Sequence, residues 1–75
     1  MMIKTKMNPR PQKGDIWEIY GGAAGGRPVL VVDIIFSKEY NSDVAVMKHL
    51  TGNQLVFEVP VVSIRQGVGI WVKAA

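Results

Sequence analysis

Apolar residues fall along this chain in short runs, and no stretch keeps a helical period for longer than about two turns. Asp15–Tyr20 gathers Ile16, Trp17, Ile19 and Tyr20 into a partly alternating first strand. A stretch of only Gly and Ala, Gly21–Gly26, follows and predicts a flexible loop. Pro28–Phe36 is almost continuous in branched and aromatic side chains, the composition of a central strand covered on both faces. Ser37–Ser42 is a polar turn. Asp43–Leu50 alternates, with Val44 and Val46 on one face and Ala45 and Met47 on the other. Thr51-Gly52-Asn53 then turns the chain back into Gln54–Val59, a hairpin pattern. Pro60 ends that strand, because it cannot donate to a ladder. Val61–Arg65 is predicted to form one short 3₁₀ or helical turn, and Gly69–Lys73 a last strand with Ile70 and Val72 opposed to Trp71.

Five short strands in so little sequence imply an all-β fold that curls on itself, since near closure hides sheet edges. The expected architecture is a small five-stranded SH3-like barrel over residues 13–75, with the short 3₁₀ turn before the last strand. A chain of 75 residues makes a single domain with a small core. It has no Cys and one His, which excludes disulfide staples and a structural zinc site. Neither a metal nor another cofactor is expected. With 48% apolar residues and no covalent staple, a chain of this size is expected to hide surface in a partner, first of all a second copy.

Charge changes the picture at the N-terminus. The net charge is +3, and Lys4, Lys6, Arg10 and Lys13 all precede the first acid, Asp15. From Gly14 onward the five remaining basic residues face six acidic ones. Residues 1–12, with Pro9 and Pro11 and no periodic apolar pattern, read as a flexible basic arm. Such an arm either grips phosphates in a salt-dependent way or merely keeps the domain soluble. The first dozen residues lack the apolar core of a signal peptide. Val29–Phe36 is far too short to cross a bilayer. A cytoplasmic protein is therefore expected.

Arg27 is the only charged residue between Glu18 and Asp33, and it stands where the Gly/Ala loop enters the long apolar strand. Functional groups are commonly held at such junctions. Guanidinium offers a planar fork of donors that matches phosphate oxygens, and Pro28 biases Arg27 toward extended geometry. The Gly/Ala stretch is not itself a phosphate cradle: it lacks a Gly-Lys-Ser/Thr ending and leads into a strand rather than a helix. His49, the one histidine, is the residue type that exchanges protons near neutral pH. Lys48 beside it reads either as a phosphate contact or as a solvated edge charge, and Asp15 as a turn residue that bonds local backbone. Both tryptophans are expected in the core.

Lys13-Gly14-Asp15-Ile16-Trp17, followed by Gly25-Gly26-Arg27-Pro28-Val29-Leu30-Val31-Val32, resembles the opening of the MazF/PemK toxins. Those proteins are dimeric SH3-like-barrel endoribonucleases of bacterial toxin–antitoxin pairs. The resemblance implies metal-independent cleavage of single-stranded RNA, with Arg27 inheriting the family's charge-balancing and proton-handling arginine. The family's second catalytic group, a Thr or Ser at the end of the third strand, falls near His49, with Lys48 and Thr51 as the neighbouring placements. Lys4, Lys6, Arg10, Lys13, Arg27 and Lys48 are then the expected RNA contacts, and Arg27 and His49 the expected catalytic pair. A homodimer is implied, and so is an antitoxin-like protein partner. The loop before Arg27 is shorter than in typical members and lacks their polar residues. That difference points to a second reading, a non-catalytic SH3-like module that grips a host protein, as a small phage or plasmid protein would. A third, fainter one is a barrel associated with the ribosome or with RNA polymerase.

Overall fold

The computed structural model describes residues 6–21 and 24–75, with Lys4 of the basic arm outside them. The chain runs β1 (Ile16–Gly21), β2 (Ala24–Ser37), β3 (Ser42–His49), β4 (Val56–Pro60), α1 (Val61–Gln66) and β5 (Trp71–Lys73). All strands belong to one antiparallel sheet in the order β4-β3-β2-β1-β5. The fold is therefore all-β, five-stranded, with one helical turn before the last strand, as the residue pattern predicts. That turn is α-helical rather than 3₁₀. No ladder joins the outer strands β4 and β5 among the described residues. No helix among those residues is long and apolar enough to cross a membrane.

Strand β2 is the spine. Its first half pairs with β1, Ile16 opposite Leu30 and Ile19 opposite Arg27. Its second half pairs with β3, from Val29 opposite His49 to Ser37 opposite Ser42. The β2–β3 register shifts between Val31 and Asp33, a bulge that sharpens twist and bends the strand. Asp33 explains itself here: its Oδ1 accepts a hydrogen bond from the Ile34 amide at 2.8 Å, supporting the backbone just past the bulge. Pro28 is tolerated inside this long strand because its carbonyl, and therefore its nitrogen, faces the segment beyond β3. Its oxygen accepts from Leu50 N at 3.1 Å, and no ladder donor is lost.

The bend wraps one face of the sheet around a core of Trp17, Val29, Val31, Ala45, Met47 and Ile64. Ile64 comes from α1, whose single buried stripe plugs the space that the short strands leave. The Val, Ile and Met side chains among them each stabilise by about 1.5–3 kcal/mol when fully buried. Trp17 is completely buried and Trp71 packs partly against the same core. The Trp17 indole N–H has no hydrogen-bond partner among the described residues. Gly67 is required by close approach: a Cβ there would stand 2.6 Å from the Trp71 ring and 2.9 Å from the Ser63 carbonyl.

Two expectations change. The central strand is not covered on both faces, because Val32 and Ile35, which point away from the core, are exposed. The six-residue helix packs against the core face, through Ile64. The Gly/Ala stretch is also mostly strand, since β1 reaches Gly21 and β2 starts at Ala24. Only residues 22–23 of the expected loop lie outside the described residues. Gly26 serves Tyr20, whose ring would sit 2.7 Å from any Cβ placed there.

The basic arm is tied down from Asn8 onward. The Asn8 carboxamide donates to the Ile64 carbonyl at 2.9 Å and to the Trp71 carbonyl at 2.7 Å. Its backbone N–H donates to Arg65 O, and Arg65 Nε donates back to Asn8 O. Pro11 is fully buried. Lys13 and Gly14 then form a turn in which Asp15 N donates to Gln12 O, with Gly14 at φ +93°. Asp15 closes it by accepting from Gln12 N at 2.8 Å, the local backbone role its position suggests.

Candidate functional site

Side chains alternate across a strand, so the core face of β2 carries Arg27, Val29 and Val31 in turn. On β3 the same face carries Ala45, Met47 and His49. Val29 stands opposite His49, which makes Arg27 the diagonal neighbour of His49, about 7–8 Å away at the backbone. Past the last core residues the sheet continues, and these two side chains emerge at its rim.

Both line an open concavity of about 240 Å³, completed by Thr51, Gly52, Asn53, Gln54 and Leu55 of the β3–β4 turn. Arg27 is exposed and makes no hydrogen bond or ion pair among the described residues. His49 is half-buried, its ring tilted by 32° against Phe57 with centroids 4.8 Å apart. Its backbone N–H donates to Leu55 O at 3.0 Å, so the turn is closed directly over the histidine. The turn uses two left-handed residues, Gly52 at φ +67° and Gln54 at φ +53°.

The other residues named as RNA contacts are elsewhere. Lys48 lies between Met47 and His49 and therefore points from the opposite face of β3. Lys13 sits in the turn at the far end of β1. Arg10 is ion-paired with Asp43 at the start of β3, six residues and about 20 Å of strand from His49. With Met7, Ser42, Val61, Val62 and Arg65 that pair lines a second concavity, of about 210 Å³. Lys6 is exposed on the arm. The structure thus brings Arg27 and His49 together and leaves Lys6, Arg10, Lys13 and Lys48 apart from them.

Residue types did not single out Asn53, Gln54 or Leu55. The available signal was a turn whose tip holds two adjacent carboxamides instead of the usual Asn-Gly or Asp-Gly pair. Thr51, one of the neighbouring placements for the second catalytic group, lines the same concavity as His49. A guanidinium, an imidazole and a hydroxyl around one hollow can hold an anion and move a proton beside it. Among the described residues no group of three or more His, Cys, Asp or Glu side chains could hold a metal ion.

No protein-family model, no curated protein and no solved structure matches the chain.

Proposed function

We propose that this chain engages single-stranded RNA at the Arg27–His49 concavity and cleaves it without a metal, in the manner of the MazF/PemK toxins. One observation carries this reading. An arginine with no intramolecular partner among the described residues shares an open hollow with the chain's one histidine. Arg27 grips the non-bridging oxygens of a backbone phosphate and balances the charge that grows there. His49 takes the proton of the 2′-hydroxyl as its oxygen bonds to phosphorus. The bond from phosphorus to the 5′-oxygen then breaks, and that oxygen leaves with a proton from the imidazolium or from water. The products are a 2′,3′-cyclic phosphate and a free 5′-hydroxyl. Exposed Val32 and Ile35 on the outer face of β2 support assembly into a homodimer.

A second reading has its own support. Leu55, 62% exposed, lines the same hollow and gives it an apolar surface that suits a protein ligand. Incubation of the purified chain with a long single-stranded RNA separates the two. Fragments ending in 2′,3′-cyclic phosphate, lost in Arg27→Ala and His49→Ala, are the expected result. Intact RNA together with salt-dependent binding leaves a non-catalytic RNA binder. Intact RNA with no binding at low salt removes the RNA reading and leaves the protein-binding module.

A further inference from the structure

We infer that the free edge of β4 pairs with β4 of a second copy, antiparallel about a two-fold axis at Phe57, so that two five-stranded sheets become one continuous sheet. The pairing rests on the homodimer part of the reading above and is independent of RNA cleavage. β4 ends the sheet on one side and β5 on the other. The β5 edge is already occupied. Its bonds to β1 fall at Ile70 and Ala74, so Trp71 turns its backbone outward. There the Trp71 N–H donates to Gly67 O at 2.7 Å, and its carbonyl accepts from the Asn8 carboxamide. Nothing comparable covers β4 among the described residues.

Register decides which groups β4 leaves free. His49 N donates to Leu55 O, and two steps along the ladder Met47 stands opposite Phe57, then Ala45 opposite Val59. Bonds to β3 therefore fall at Leu55, Phe57 and Val59, and the N–H and C=O of Val56 and Glu58 point away from it. Neither residue has a hydrogen-bond partner on that side among the described residues. Such a row of unpaired backbone groups is a template for another strand. Pro60, next in the outward series, has no N–H to offer and closes the template at its end.

A second copy fits this edge in one register. With Phe57 on the axis, Val56 of each copy stands opposite Glu58 of the other, and each such pair exchanges both of its N–H···O bonds. Every free donor of the edge is then used, and each carboxylate faces an apolar side chain. Centring on Glu58 would set two carboxylates opposite each other and match Val56 with Pro60, which cannot donate. Centring on Val56 would match Glu58 with Gln54, which lies outside the strand at φ +53°. In the Phe57 register Val56, 62% exposed in the single chain, is covered, and Phe57 meets its counterpart at the closely spaced cross-strand position. Val59 of the second copy then stands opposite Leu55, so the second chain borders the Arg27–His49 hollow.

Glu58→Pro tests the pairing, because it removes an outward N–H and none of the bonds to β3. In sedimentation of the full chain over a concentration series, the parent is expected at twice the mass of one chain. Glu58→Pro is expected at the mass of one chain with the parent's circular dichroism, and Val32→Lys, on the outer face of β2, still as a dimer. Amide exchange checks the same contact without a variant: the Val56 and Glu58 N–H groups are expected to exchange more slowly in the dimer than in the diluted chain. A parent that is monomeric at every concentration overturns the pairing and the homodimer reading together. A dimer that survives Glu58→Pro and separates in Val32→Lys overturns the edge pairing and leaves the homodimer to the outer face. Slow exchange of these two amides in a monomer gives the edge to another segment of the same chain and also overturns the pairing.

Discussion

The two ends of strand β3 treat their cations in opposite ways. At its start Arg10 is paired with Asp43, and Arg65 is occupied with the Asn8 carbonyl. The arm folds over this end, and Asn8 stitches it to the last turn of α1 and to β5. At the other end Arg27 has no acid and no carbonyl to hold among the described residues, and the turn beside it leaves two carboxamides unspent. The first end is built for stability: its polar groups answer one another. The second leaves polar capacity unanswered, which costs little because its groups stay in water and which equips it for a ligand. A basic residue is thus informative by what it lacks, and most of the positive charge in this chain lies away from the hollow.

The sharpest way to break this division is Arg27→Ala. RNA cleavage is expected to fall by about 10²–10³-fold, the cost of removing one preorganised group from a charged transition state. Its unfolding free energy in urea is expected to stay within about 0.5 kcal/mol of the parent, because the side chain is exposed and unpaired. A stability loss well beyond that would show that Arg27 belongs to the scaffold after all.

Asn8→Ala should give the reverse pattern. It strands two carbonyls that the carboxamide now satisfies, at about 1–3 kcal/mol, read as a lower denaturation midpoint. Cleavage by the remaining folded protein is expected to change less than about threefold, a modest tolerance next to the tenfold that 1.4 kcal/mol represents. A larger drop would mean that the two ends are mechanically joined.

Arg10→Ala sharpens the contrast at lower amplitude. Both partners of the Arg10–Asp43 pair are substantially exposed, so the loss is expected to stay below about 1 kcal/mol and to shrink in high salt. An equal effect on RNA affinity and on stability would bring the arm back into the binding surface.

The smallest expected effect lies on the outer face of β1. The Tyr20 hydroxyl donates to Glu18 Oε1 at 3.2 Å, and that hydrogen bond, then the carboxylate's charge, raises the phenol above its ordinary value of 10.0. Because the folded value is the higher one, the contribution is complete below pH 10 and disappears as pH rises through the folded value. Ultraviolet titration should show the Tyr20 phenol ionising at lower pH in Glu18→Gln than in the parent chain. An unchanged tyrosine titration in Glu18→Gln would disprove the contact.

Much of the fold is legible because strand patterns and breakers are local. Trp17 with Ile19, the alternation at Ala45 and Met47, and the stop at Pro60 each place an element within a residue or two. The end of the Gly/Ala stretch was less legible, since glycine reads as loop whether or not its backbone finds a ladder, and here β1 and β2 zip nearly to the tip. Coverage of β2 was misleading for a different reason. An apolar run reports that a strand is central, but not that a second layer exists to bury its other face. Arg27 and His49 were legible as residue types, whereas Asn53 and Gln54 look like any polar turn until the hollow is formed.

The order of residues alone determined that this chain is β-rich, that its cations cluster before Asp15, and that one guanidinium stands apart at Arg27. These follow from side-chain period, composition and position, which need no contact between distant residues. Tertiary structure alone decided which cations are spent and which side chains meet. The Asn8 stitch to Ile64 and Trp71 spans 56 and 63 residues, and the pairing of Val29 with His49 sets Arg27 beside the histidine. Register is the physical reason: a one-residue slip between β2 and β3 would send His49 to the other face and dissolve the hollow.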